Sequence, residues 1–235
     1  MKRNVNGIRV VLQVELQKIF KSKLVLMVSL VFLFLLLIRR GPNWQTFTEN
    51  ALFLYTSLIG MVGFGVVSSW VFAHEYQDGV FKDLLALPIS RMEIIIAKLL
   101  AVEIAGVIIA GICTIIMLIF GITLFHTTIP GDIVVESIRK VLVITALDLP
   151  LALLWPLLAS LWKSAILPMS LSFITVIISV VFSSESIGKF IPWAIPGYYL
   201  ANNENLPYFS TVILSLIGII GIFGTAYVWI RRDQK

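Results

Sequence analysis

Apolar segments long enough to cross a bilayer recur along the whole chain, and they constrain its fold more than any other feature. The first, Leu24 to Ile38, is broken only by Ser29. Others occupy about 51–73, 94–125, 141–162, 165–182 and 209–230. A hydrocarbon core about 30 Å thick takes about 20 apolar residues of helix. Inside it every backbone N–H and C=O must be paired within the protein, which favours helices for runs of this kind. Hydrophobic residues make up 59% of the 235 and charged residues 13%, against about 45–50% and about 25% in a soluble domain. Polar surface on this scale does not cover a soluble core, so a cytosolic enzyme, a secreted module and a disordered protein are excluded. The expected fold is all-α: a polytopic membrane protein of six transmembrane helices forming a single transmembrane domain over 1–235.

Residues 1–23 differ from the rest. Ile8, Val11, Leu12, Leu16, Ile19 and Phe20 recur at helical spacing, with Arg9, Gln13, Gln17 and Lys21 on another face. This pattern predicts an amphipathic helix in the membrane interface. The run 24–38 is followed at once by Arg39 and Arg40 with no small-residue cleavage pattern, so it reads as an uncleaved span rather than a signal peptide. Six spans put both termini on one side. Of the 18 Lys and Arg residues, 13 fall on the terminal side and five (Arg39, Arg40, Arg139, Lys140 and Lys189) on the other. The positive-inside rule then makes the termini cytoplasmic and the protein multi-pass in the cell membrane. The net charge of +5 needs no nucleic-acid partner, because basic residues at membrane ends meet anionic lipid.

Much chemistry is missing. Cys113 is the lone cysteine, which excludes an internal disulfide and any multi-cysteine metal or redox centre. Gly188-Lys189 is followed by Phe190 and lacks the earlier glycine of a phosphate-cradling loop, so the chain has no ATPase motif of its own. His74 and His126 fall on opposite sides of the expected membrane, which removes a two-histidine metal site and leaves Ser/His catalysis poorly supported. No catalytic, metal or cofactor site is expected in this chain.

The loop between the second and third spans is richer. Glu75 ends the second span, and Gly79 breaks its helix at the surface. Val80, Phe81, Leu84 and Leu85 fit a short amphipathic helix that Pro88 stops. Ser90-x-x-Glu93 is a capping box opening the third helix. A short, sharply bounded helix at the cytoplasmic face suits docking of a cytoplasmic partner, with Phe81 and Leu84 on one face as its anchors and Glu75 and Arg91 at the rim.

Glu75, Gly79, the Leu-Ala-Leu-Pro-Ile-Ser-Arg of 85–91 and Lys98 resemble the pattern of ABC-2-type transporter permeases, most closely those of antimicrobial-peptide immunity or bacitracin-type export. The resemblance extends over the whole chain. It implies an N-terminal interfacial helix, six spans and a cytoplasmic coupling helix. It also implies a second permease copy or paralogue and a separate ATP-binding-cassette ATPase carrying ATP and Mg. Glu75, Gly79, Phe81, Leu84, Leu85, Pro88 and Arg91 would then form the coupling element, in an exporter of a hydrophobic or amphipathic substrate.

Two carboxylates fall within spans, Glu103 and Asp148, and ionised groups there face protein or water. Both are pathway candidates. Their alternatives are structural: pairing of Glu103 with Lys98 or Lys163, and capping of a helix resumed after Asp148. Pro150 and Pro156 are expected to break the fourth span. The outer segment 184–208, with Trp193 and Tyr198, suits a re-entrant or interfacial hairpin gating the pathway. The competing functions are an ion- or proton-coupled transporter built on Glu103 and Asp148, and an intramembrane enzyme.

Overall fold

A computed structural model describes residues 4–85, 88–125, 130–202 and 205–231. Ala86, Leu87, His126 and the basic residues Lys2, Arg3, Arg232 and Lys235, on which some expectations fall, lie outside the described residues. The described chain is helical, with no strand. Helices α1 (Asn4–Lys21) and α2 (Leu24–Ile38) meet at Lys23, whose left-handed backbone (φ 60°) sits at a 45° bend. The long helix α3 (Trp44–Gln77) opens on Asn43, whose side chain accepts a hydrogen bond from the Thr46 N–H at 2.9 Å. Its middle, Tyr55–Gly63, is wound as a π-helix. Then come α4 (Phe81–Leu85), α5 (Arg91–Phe125), α6 (Gly131–Ala152), α7 (Leu154–Trp162) and α8 (Ile166–Phe182). Two 3-10 turns, Ser186–Phe190 and Pro192–Ala194, precede α9 (Ile195–Ala201) and α10 (Tyr208–Arg231).

Among the described residues, α3, α5, α6 together with α7, and α10 are long and apolar enough to cross a bilayer. The bent α1–α2 pair makes a fifth candidate, and α8 is a shorter apolar helix of 17 residues. Two helices start earlier than their apolar runs: α3 at Trp44 rather than Ala51, and α6 at Gly131 rather than Val141. The added turns carry Gln45, Glu49, Asp132, Glu136 and Lys140. Hydropathy marks where hydrocarbon ends, whereas backbone hydrogen bonding carries the helix on into water. At 1.5 Å per residue α3 is about 51 Å long, well over the bilayer core. Pro150 lies inside α6 without ending it. The break falls at Leu153, before Pro156, whose ring excludes the carbonyl four residues earlier. The described part of 184–208 is a cap of short helical turns. It is tied to α10 by Ser210 Oγ donating to Lys189 O at 2.7 Å and by Phe190 stacked on Phe209 at 4.7 Å.

Helix α3 is the axis of the bundle, with 78% of its apolar window buried against 28% for α5 and 33% for α10. Lipid tails are as apolar as leucine, so close approach rather than burial holds such helices together. Small residues permit it within this chain: Gly60 faces Asp148, Gly221 lies on the Leu153 backbone, and Gly224 sits against Leu157. At one end of the bundle the last turns of α3, α7 and α10 gather with α4 and the start of α5. At the other, Trp44 of α3 lies 5.3 Å from Phe125 at the end of α5. Arg39, near that second end, donates to Asn50 Oδ1 at 3.0 Å and lies 4.5 Å over the Phe53 ring. These contacts hold locally a cation that departs from the basic asymmetry.

Candidate functional site

The end where α3 leaves the membrane carries a buried charge cluster. Helix α1 turns Val11, Glu15 and Ile19, spaced four apart, into the bundle. Glu15 thereby meets Lys98 of α5, whose Nζ lies 2.9 Å from Glu15 Oε2. The same ammonium lies 2.8 Å from Glu75 Oε2 and donates to Val71 O at 2.8 Å, on the last turns of α3. Lys18 closes the ring, 2.8 Å from Glu15 and 2.9 Å from Glu75. Lys98 is 0% exposed, and Glu15 and Glu75 are 1% exposed. Two carboxylates and two ammoniums make a neutral quartet joining α1, α3 and α5. Burial of this kind holds only with every charge paired. His74 adds to the wall, its ring stacked 4.2 Å from Trp70 and its Nε2 3.8 Å from Glu75 Oε1.

The chain then turns sharply. Gly79 has φ +73°, a left-handed conformation that costs other L-residues about 1–2 kcal/mol. That frees Phe81 to fold back. Its ring stacks on Tyr76 at 4.1 Å and meets Trp229 of α10 edge-on at 5.1 Å. Trp229 also packs edge-on against Phe72 at 5.8 Å, and its Nε1 donates to Ser160 Oγ of α7 at 2.9 Å. The expected capping box forms: Ser90 N–H donates to Glu93 Oε2 at 2.9 Å, and Glu93 N–H to Ser90 Oγ at 3.2 Å. Arg91 donates to Trp229 O at 3.1 Å, which places a cation on the carbonyl end of α10.

This geometry corrects one expectation. Phe81, 5% exposed, is spent inside the bundle and is not a surface anchor for a partner. Leu84 is half-buried against the core, and Leu85 closes α4. The outward side of the loop is made instead by Val80, Asp83, Pro88, Arg91 and Met92, all exposed. Glu15 and Lys18 were not recognised in the sequence. The only signal was that Glu15 falls on the apolar stripe of α1 between Val11 and Ile19.

The other candidates lie apart. Asp148 is wholly buried against Gly60 in the π-helical part of α3, with no hydrogen-bond partner for either oxygen among the described residues. It does not cap α7, whose first residues carry no side-chain cap. Beside it, Tyr55 lies 2.6 Å from Thr145 Oγ1. Glu103 is half-buried on α5, and its Oε1 has no partner among the described residues. Its expected partner Lys98 is held by Glu15 and Glu75. Trp193 and Tyr198 sit half-buried in the outer cap, and the indole Nε1 of Trp193 lacks a partner among the described residues. Among the described residues no hydrogen bond or ion pair joins Asp148 to Glu103. Among the described residues no cluster of three His, Cys, Asp or Glu side chains suits a metal.

Comparison with known proteins adds two findings. The family model for ABC-2 family transporter proteins matches residues 11–179. The chain is also 22% identical over 192 residues to the bacitracin transport permease protein BCRB of Bacillus licheniformis, covering 80% of this chain and 92% of that protein.

Proposed function

Because the chain belongs to the ABC-2 family of transporter proteins, we propose that it is the membrane-spanning permease subunit of an ATP-driven exporter. It is a multi-pass transport subunit rather than an enzyme, and permeases of this family generally work with an ATP-binding-cassette partner. In this reading a separate cytoplasmic ATPase, with its own ATP and Mg, docks on the outward side of 78–93. The observation that carries the reading is the fastening of α4: Phe81 is tied through Trp229 to α3, α7 and α10 at once. A push on this loop has a rigid route into three helices.

The quartet of Glu15, Lys18, Glu75 and Lys98 makes α1 part of the same rigid end. Helix α1 then lies in the cytoplasmic interface, α2 and α8 complete six crossings, both termini are cytoplasmic, and the outer cap faces outward. The whole chain acts as one transmembrane domain, paired with a second copy or a paralogue. In the same reading Asp148, Glu103, Trp193 and Tyr198 belong to the pathway. A hydrophobic or amphipathic cargo fits an interior whose few ionisable groups are enclosed, and the name of the similar Bacillus protein points to a peptide antibiotic of that class.

The test is co-purification from membranes with the partner ATPase, followed by hydrolysis and transport in proteoliposomes. The expected result is a stable complex whose ATP hydrolysis rises severalfold with bacitracin or a related amphipathic peptide. Transport driven by an ion gradient without nucleotide, with no ATPase bound, would contradict it.

A further inference from the structure

A cleft of about 480 Å³ opens between α5 and α6. It is lined by small residues, the buried Ala110 and exposed Gly111 on α5 and the exposed Ala146 on α6, with large ones such as Ile115 and Leu142 at its rims. The rims are open: Ile115 is 57% and Leu142 63% exposed. Only two lining side chains are polar, Thr114 and Thr145. Both turn their hydroxyls back onto their own helix, to Ala110 O at 2.8 Å and Val141 O at 2.7 Å. The cleft therefore offers methyl groups and no hydrogen bond to an occupant. Its α6 wall runs over the twelve residues from Ile138 to Leu149, about 16 Å along the helix. It is a narrow apolar slot parallel to the bilayer normal, which is the shape of one alkyl chain.

The slot ends beside a cation. Arg139 is exposed, next to Ile138 at the end of the wall nearer Gly131, and three residues before Leu142 on the same stripe of α6. Helix axis and cation together match an amphiphile whose chain lies in the slot and whose phosphate meets the guanidinium, a pairing that guanidinium geometry favours. We propose that the α5–α6 cleft is a binding site for one acyl chain of an anionic glycerophospholipid, with its phosphate on Arg139. Uncharged lipids fill the slot less firmly, because they forgo the contact at its end. The site gives a specific place to the lipid contact of this membrane subunit and does not depend on the ATPase.

Gly111 provides the clean test. A Cβ added there meets nothing within 4 Å, so a larger side chain fills the slot without forcing the helices apart. The full-length protein, delipidated in detergent, is titrated with palmitoyl-oleoyl phosphatidylglycerol and with the matching phosphatidylcholine, and bound lipid is read by native mass spectrometry. The parent is expected to prefer phosphatidylglycerol. Gly111→Leu is expected to lose the tight adduct with its thermal unfolding unchanged. Arg139→Gln is expected to weaken phosphatidylglycerol about tenfold, the scale of a charge-assisted hydrogen bond, and to leave phosphatidylcholine unaffected. A photoreactive acyl chain on phosphatidylglycerol should mark peptides containing 107–115 or 138–149, a readout that needs no variant to fold. Unchanged affinity in Gly111→Leu, labelling confined to other helices, or a Gly111→Leu effect on dimerisation with lipid binding intact would each overturn the proposal.

Discussion

Replacing Lys98 with methionine is expected to cost the folded protein about 3–5 kcal/mol, the scale seen when one partner of a buried ion pair is removed. Methionine has nearly the length of lysine, so little packing is lost. What remains is Glu15 and Glu75, each 1% exposed, facing one another without the ammonium between them. Lys18 contacts one oxygen of each, at 2.8 Å and 2.9 Å, and cannot neutralise both. The Val71 carbonyl also loses its donor. Thermal unfolding of the purified protein in detergent should show a large drop for Lys98→Met and none for Lys21→Met, since Lys21 is exposed on the far side of α1. Adding Glu15→Gln and Glu75→Gln to Lys98→Met should restore part of the loss, because the stranded charges are then gone. A stability equal to the parent for Lys98→Met would mean that the quartet contributes nothing to the fold.

Phe81→Ala is the second large effect. Truncating a buried phenylalanine costs about 3–5 kcal/mol, and here the ring also stacks on Tyr76 and meets Trp229 edge-on. Helix α4 is only five residues long and cannot hold itself in place once that side chain is gone. The loop should therefore come away from the bundle while its exposed face stays chemically intact. In proteoliposomes the expected outcome is an ATPase that still binds and hydrolyses ATP, with transport lost. Trp229→Phe should be milder, since it keeps the edge contact but loses the bond to Ser160. If Phe81→Ala instead released the ATPase with protein stability unchanged, Phe81 would be an anchor for the partner rather than part of the bundle.

How far the sequence carried this account follows from the range of the interactions involved. Signals within a few residues were readable. The Ser90–Glu93 capping box and the turn at Gly79 are local patterns, and each takes the expected form. Contacts between distant residues were not. Lys98 and Glu15 are 83 residues apart, and Glu15 looked like one polar residue among several on a surface helix. Phe81 and Leu84 share a helical face, but spacing alone does not say whether that face meets a partner or Trp229, 148 residues further on. The starts of α3 and α6 were not legible, because polar residues continue a helix into water as readily as they end a span. Asp148 was visible as a carboxylate inside an apolar run. Its neighbour, Gly60 in the π-helical part of α3, follows only from how two helices pack.

The central claim is that the loop 78–93 of this permease is where a separate ATPase takes hold. A photocrosslinker attached at position 83, through Asp83→Cys on a Cys113→Ser background, tests it in native membranes. Asp83 is exposed on the outward side of α4, and Tyr208, 84% exposed at the other end of the bundle, gives the matching control through Tyr208→Cys. The account predicts that position 83 captures the ATP-binding-cassette ATPase and position 208 does not. An ATPase captured from 208, or none captured from 83 in membranes that contain it, would contradict the account.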